Sequence, residues 1–449
     1  MSENDILKDC HLTQRFKASR SVHDFMHHGE PLTVNTKAEE TMKQMINYQK
    51  TGITMKLAEI SIASAALAVA LALTGWSSTA AAEEPIKVGL VLPFKGVYAN
   101  LAENFASGWD IALDQYNGEI AGRKIKVFRE DTEANPNVAV QRATKLMNAE
   151  NVDVLAGVVS SGVGVALGQF ANQQKVPIVL GMAIADVITG KNCGPYVIRT
   201  SFSAHSLTSG FGRYLANSYK TASTLGPDYA AGHAMIGGFN AGFRGDGGEI
   251  KGEHWSAFKQ TKDWGPILGK IQSEKPDAVY SFYAGSESVQ VVKQYANFGL
   301  KDSIPLYGDH WLYDESLWDA MGDAAVGGRF VTTNALDVDN EANHLFIKAF
   351  KKKYGKTPDI NAYLGYENAL PLFKAIEALG GDVTDSAKLV KTMRGLEFDA
   401  PRGRYTFNND NNAVLDKVYV IEIVRDGDKL KPKLIDSIAG GSDLSGCNM

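Results

Sequence analysis

The 449-residue chain carries 46 Lys and Arg against 51 Asp and Glu, for a formal net charge of -5, and 44% of its residues are hydrophobic. That balance gives no support to nucleic-acid binding, and the longest basic block, Lys351-Lys352-Lys353, reads as the solvated face of a helix. A chain of this length exceeds one ordinary core and suits two lobes.

Met1 to Thr54 is polar and shows no sustained apolar period. It holds Cys10 and the cluster His23, His27 and His28. His23 and His27 stand four apart and could share a helix face as metal ligands, but no further ligand set accompanies them, so no metal centre is expected. Residues 1–54 read as a non-core extension, a mis-assigned start. Residues 55–82 then have the anatomy of an export signal. Met55-Lys56 is a short basic start, Ile60 to Trp76 is uncharged and rich in Ala and Leu, and Ala80-Ala81-Ala82 supplies the small residues that precede a cut. A spanning helix needs about 20 strongly apolar residues, and this run is shorter and diluted by Ala, Ser, Thr and Gly. Trp76 stands where a lipoprotein signal would carry cysteine. Translation is expected to begin at Met55, the mature chain at Glu83, and the protein to reside in the periplasm.

From Pro85 the text alternates strand and helix. Ile86 to Leu92 is a β-rich run stopped by Pro93 and followed by a loop, Phe94 to Asn100. Leu101, Phe105, Trp109, Ala112, Leu113 and Tyr116 recur at helical spacing, and Gly118 ends that helix. Lys124 to Arg129 predicts a strand, Val138 to Met147 a helix, and Val152 to Val159 a strand apolar enough to be buried on both faces. Ser160-Ser161-Gly162 turns into a helix, and Val176 to Leu180 is the next strand. This βαβαβ order implies a parallel, doubly wound sheet.

Around Tyr196 to Ser203 the rhythm restarts. Helices are predicted at Thr208–Ser218, Gly232–Gly242 and Ser286–Asn297, with strands at Ser223–Leu225, Ala278–Phe282, Ile304–Tyr307 and Gly328–Thr332. Asn343 to Tyr354 and Tyr363 to Leu379 read as long amphipathic helices, and Lys417 to Val424 as a late strand with no neighbour nearby in sequence. Cys193 and Cys447 are the cysteines left after the signal. Two cysteines in an exported chain suggest one disulfide, tying the C-terminal tail to the first lobe, although sequence alone does not deduce pairing.

In an open parallel sheet, ligands collect at the carboxyl ends of strands, where helix N-termini also point. The residues there are Phe94 and Tyr98, then Ser160 and Ser161, then Met182 and Ala183, and in the second half Tyr229, Tyr283, Asp309, His310 and Trp311. One half thus offers hydroxyls and amides that could hold a carboxylate, and the other offers aromatic rings that could clamp an apolar body. Taken singly, each ring could equally be core and each serine a helix cap.

Enzyme readings find no footing. There is no G-x-x-x-x-G-K-[ST], and no G-x-G-x-x-G follows a strand. Val159 to Val163 lacks the glycine of a nucleophile elbow, and adjacent Asp309 and His310 do not easily orient one another as a catalytic pair. No cofactor is expected.

Several separate motifs carry a resemblance. Val88-Gly89-Leu90-Val91-Leu92-Pro93-Phe94-Lys95-Gly96-Val97-Tyr98-Ala99 is similar to the start of branched-chain amino-acid-type periplasmic binding proteins of ABC importers. So are Ala156 to Val163, Pro195 to Ser201, and Tyr363-Leu364-Gly365-Tyr366-Glu367. The resemblance implies two Rossmann-like doubly wound lobes joined by three hinge crossovers. Lobe 1 would be 85–202 and 332–415, and lobe 2 would be 203–331 and 416–449. It also implies a monomer, an inner-membrane ABC permease as partner, Ser161 as carboxylate ligand, Met182 and Ala183 at the ligand head, and Tyr98, Tyr229 and Tyr283 around it.

Amino-acid binders of that family place an acidic residue after the strand ending Leu306-Tyr307-Gly308; here His310 takes that place, with Asp309 one residue earlier. The hydroxyl expected near Ala183 to Ala185 is absent too. A buried ammonium without an anion costs several kcal/mol, so a benzoate-like aromatic carboxylate is expected, with His310 donating to it. Sequences resembling this one also occur among aromatic-acid binders, including cysteines near the Cys193 and Cys447 positions. A branched-chain amino acid or amide, with Asp309 facing the cleft, is the alternative, as is a cytoplasmic ligand-sensing regulator of the same fold.

Overall fold

The computed structural model describes residues 83–441 together with 446 and 447; the expected extension and export signal lie outside the described residues. Among the described residues no helix is long and apolar enough to cross a membrane.

The first sheet is built from β1 (Ile86–Leu92), β2 (Glu119–Ile120), β3 (Arg123–Asp131), β4 (Val154–Gly157), β5 (Ile178–Leu180) and β6 (Val197–Arg199), in the order β2-β3-β1-β4-β5-β6. β1 pairs parallel with both β3 and β4, and its side chains are almost all buried, which is why its sequence is a continuous apolar run rather than an alternation. The helices linking these strands are α1 (Ala99–Gln115), α2 (Pro136–Lys145) and α3 (Ser161–Gln174). Asn135 caps α2 by accepting from the Asn137 and Val138 amides, with Pro136 at the first helical position.

After α4 (Ala204–Ala216) the chain builds a second sheet in the order β15-β14-β11-β10-β9-β7-β8. Its strands are β7 (Thr221–Pro227), β8 (Glu249–Ser256), β9 (Ala278–Ser281), β10 (Leu306–Asp309) and β11 (Arg329–Thr332), with α5 (Ala230–Gly245), α6 (Gly265–Glu274), α7 (Ser286–Asn297) and the single turn α8 (Trp318–Met321) between them. Three long helices follow, α9 (Glu341–Tyr354), α10 (Ile360–Ala378) and α11 (Ser386–Arg394), then the small hairpin β12 (Phe398–Ala400) and β13 (Gly403–Tyr405). β14 (Lys417–Asp426) pairs antiparallel with β11, and β15 (Lys429–Ala439) closes the edge against β14. The chain therefore passes between the two sheets' territories near Thr200, Asn334 and Asp416.

Glu367 of α10 ties these passages together. It is fully buried and ion-paired to buried Arg402, and its carboxylate also accepts from the Asn334 side chain at 3.0 Å. Arg402 in turn donates to the carbonyls of Ser201 at 3.0 Å and Thr200 at 3.1 Å. A buried pair with every partner satisfied fixes geometry more than it adds stability. α10 lies so close to α1 that a Cβ at Gly108 would sit 1.8 Å from the Ala362 carbonyl oxygen, and one at Gly365 1.9 Å from that of Phe105.

Cys193 and Cys447 are joined, with Cα atoms 5.6 Å apart and a sequence separation of 254. In the chain-entropy account a loop that long is worth roughly 5 kcal/mol of constraint on the unfolded chain.

Candidate functional site

Both sheets present the carboxyl ends of their parallel strands to one shared crevice. This is the crevice that the doubly wound topology provides where strand order reverses, at β1/β4 in one sheet and β7/β9 in the other. From the first sheet come Tyr98 and Leu101 after β1, Val159 and Ser161 after β4, and Met182 and Ile184 after β5. From the second come Tyr229 and Ala231 after β7, Phe282 and Ala284 after β9, and Trp311 after β10. No charged side chain stands among these lining residues.

The first wall is made by a tight turn. β4 ends at Gly157, short of the predicted Val159, because Val158 adopts φ +68, a conformation costly for a β-branched residue. The turn is held by hydrogen bonds from the Val158 amide to the Val91 carbonyl at 3.0 Å and from the Met182 amide to the Val158 carbonyl at 3.1 Å. It delivers Ser160 as the N-cap and Ser161 as the first residue of α3. The Ser161 Oγ accepts from the Ile184 and Ala185 amides at 3.0 and 3.1 Å. Both lone pairs are thus engaged, and its one proton remains to be donated. A hydroxyl fixed in this way at a helix N-terminus suits an anionic oxygen.

The second wall is aromatic. The Tyr229 ring stacks on Phe258 with centroids 4.0 Å apart, and Phe282 lies 6.2 Å from Trp311 edge to face. Trp311 is steadied by Phe202, 5.8 Å away, and by its indole N–H donating to Asn361 Oδ1 at 3.2 Å. The walls meet at the Tyr98 and Tyr229 hydroxyls, 2.9 Å apart. Burial first, then each other's charge and that of Glu287, holds the Tyr98 phenol well above its ordinary range, and burial likewise raises Tyr229, so both stay neutral. Further contacts join the two halves around the cavity. Lys259 Nζ donates to the carbonyls of Glu133 and Ala134 at 3.0 and 3.1 Å, and Asn100 to the Ser316 hydroxyl at 3.3 Å. Gly285, at φ +63, lies so close to the first half that a Cβ would stand 1.9 Å from the Val97 carbonyl oxygen.

Of the residues singled out in the sequence, Tyr98, Ser161, Met182, Tyr229 and Trp311 meet at the cavity. The others stand outside it. Phe94 is half-buried against the core, Ser160 sits at the N-cap position without a side-chain cap hydrogen bond and does not line the cavity, and Ala183 packs beneath Gly164 with its carbonyl accepting from Arg199. Tyr283 faces the opposite side of its sheet, where its hydroxyl meets Ser256 Oγ at 2.6 Å and accepts from Trp264 at 3.0 Å. Asp309 and His310 are buried at the end of β10 but neither lines the cavity. Asp309 Oδ1 accepts from the Trp311 amide at 2.7 Å, and burial pushes this carboxyl up to about 8. His310 turns away between Phe202 and Trp311, and burial pushes its ring down to about 3. Phe282 and Ile184 take the positions that Tyr283 and Ala183 were expected to hold, each one residue away, and of the neighbours His310 and Trp311 only Trp311 lines the cavity.

The profile of the periplasmic binding protein family matches residues 85–428. A Leu/Ile/Val-binding protein homolog 6 of Brucella melitensis is 29% identical over 368 residues, covering 80% of this chain and 93% of the relative. Among solved structures, a solute-binding protein of an ABC transporter from R. palustris, in complex with benzoate, is 33% identical. It superposes with a TM-score of 0.75 over 81% of this chain and all of the other. A second, from Rhodopseudomonas palustris BisB5 in complex with 3,4-dihydroxybenzoic acid, is 28% identical with a TM-score of 0.74, over 80% of this chain and 98% of that one. A leucine-binding protein of Thermotoga maritima, 22% identical with a TM-score of 0.71 over 79% of this chain and 99% of its own, shares the fold. Paired parallel sheets meeting at one crevice, and a family match across nearly all of the described residues, lead to one assignment: the chain belongs to the periplasmic binding protein family.

Proposed function

We propose that this protein is the solute-binding component of an ABC importer and captures a small aromatic carboxylate of the benzoate class. The observation that carries this is the cavity's lining: a fixed hydroxyl on one wall, rings on the other, and no charged side chain among them. An α-amino acid would bring an ammonium with no carboxylate to receive it, at a cost of several kcal/mol. A benzoate needs one anionic head held and one flat body stacked. The benzoate and dihydroxybenzoate held by the two R. palustris proteins support the same class.

In this reading Ser161 and the start of α3 hold the carboxylate, while Tyr229, Phe282 and Trp311 cover the ring and the Tyr98–Tyr229 pair closes the far end. Ligand bound to one half recruits the other, and contacts to both stabilise the shut form. Micromolar affinity requires about 8 kcal/mol, within reach of one charge-assisted head and a buried ring. The shut protein then presents its solute to a permease at the inner membrane, which places it in the periplasm.

A thermal-shift screen of the full chain tests the reading. Benzoate and 4-hydroxybenzoate are expected to raise the melting temperature, and leucine, valine and a small aliphatic amide to leave it unchanged. A rise with leucine alone contradicts the proposal and returns the ligand to the class in the names of the Brucella relatives.

A further inference from the structure

A second, partly open cavity is lined by His310, the neighbour of Trp311 in sequence, and by the passage from β11 to α9. Its lining mixes apolar, hydroxyl or amide, and acidic side chains. Phe330, Ile360, Ile421 and Leu434 are apolar, and Glu315 and Asp337 are the charged residues in it, with no lysine or arginine. His310, 1% exposed, lines it with neither ring nitrogen hydrogen-bonded. Two more carboxyls, Asp314 and Asp359, stand behind Glu315. The nearby cation, Lys356, donates to Asn104 Oδ1 at 3.1 Å.

We propose that this cavity binds a small organic cation, a primary amine carried on an apolar body, with Glu315 and Asp337 facing the ammonium and the His310 ring accepting from it. Lys356 already offsets Asp314 and Asp359, whereas the influences on Glu315 all raise it. Burial first, then Asp359, Asp314 and Asp337, pushes the Glu315 carboxyl up to about 8, and an ammonium beside it reverses that push. Neutral His310 supplies an acceptor that no protein group uses. Among the described residues no group of three or more His, Cys, Asp or Glu is placed to hold a metal ion, which favours an organic cation over a bare metal ion. The site is independent of the benzoate reading, since neither Glu315 nor Asp337 lines the crevice between the sheets.

Benzylamine is the probe, with benzyl alcohol as its uncharged counterpart, titrated calorimetrically into the full chain at pH 7. Benzylamine is expected to saturate and to release protons on binding, whereas benzyl alcohol and calcium chloride give no saturable heat. Glu315→Gln is expected to weaken benzylamine by about tenfold and to abolish proton release, leaving any benzoate affinity unchanged. Leu434→Arg, at a residue 40% exposed and so tolerant of change, sets a competing cation in the cavity and is expected to weaken benzylamine likewise. Absence of saturable benzylamine binding to the unaltered chain, equal affinity in both variants, or stronger binding of calcium overturns the proposal.

Discussion

The two walls of the crevice differ in how they are held. The first-sheet wall owes its shape to backbone: a strained Val158, amides fixed on Ser161 Oγ, and a helix start. The second-sheet wall owes its shape to side chains packed on side chains, Tyr229 on Phe258 and Trp311 on Phe202. A backbone cradle holds a head group common to a whole ligand class, whereas a ring wall reads what the head carries. Substitutions on the first wall should therefore damage every ligand alike, and those on the second should sort them.

The largest effect is expected from Ser161→Ala. It removes the donor to the carboxylate and leaves the Ile184 and Ala185 amides without their acceptor, costing about 2–4 kcal/mol, or on the order of 100-fold in Kd for benzoate and its hydroxylated relatives alike, read by calorimetry. Trp311→Ala is expected to cost about 2 kcal/mol of buried ring contact, seen as a roughly 30-fold loss. Tyr229→Phe deletes the hydroxyl that meets Tyr98 and is expected to weaken binding by about 1 kcal/mol, with the ratio of benzoate to 4-hydroxybenzoate affinity shifting. Equal losses for all ligands on both walls would break the contrast.

The smallest effect on ligand affinity is expected at Asp309 and His310, whose substitution speaks instead through pH. Asp309 is pushed from 3.8 up to about 8, so between those values the folded chain keeps a proton that the unfolded chain releases, and stability falls as pH rises from about 4 to 8. His310 is pushed from 6.5 down to about 3, so the unfolded chain takes up a proton that the folded chain refuses, and stability falls as pH drops from about 6.5. Asp309→Asn should flatten part of the alkaline fall in melting temperature, the rest belonging to Glu315 and Asp359, and His310→Asn part of the acid fall. Benzoate affinity at pH 7 should hold in both.

The buried centre of the fold was legible in the sequence because strands such as β1 and β4 are continuous apolar runs. The edges were not. β8, EIKGEHWS, and β15, KLKPKLIDSIA, are the outer strands of the second sheet, and charges and Pro432 keep them from pairing further. The same residues erase the hydropathy signature, and both strands escaped prediction. At the site the strand ends were legible but the facing residue was not. Phe282 and Tyr283 are neighbours of similar character, and so are His310 and Trp311; which one turns inward is set where the chain leaves the pleat, by partners such as Ser256, Trp264 and Asn361 that are distant in sequence. The pattern of small polar residues between a buried strand and an apolar helix pointed to Ser160 and Ser161 alike, and the family resemblance rather than the pattern singled out Ser161, which lines the cavity.

Phenylacetate and L-phenylglycine share a ring and a carboxylate and differ by one ammonium, so their affinities measured by calorimetry on the same preparation weigh the uncharged lining directly. Phenylacetate is expected to bind at least about 100-fold more tightly, the equivalent of leaving an ammonium without its anion. Equal or tighter binding of L-phenylglycine would contradict the account.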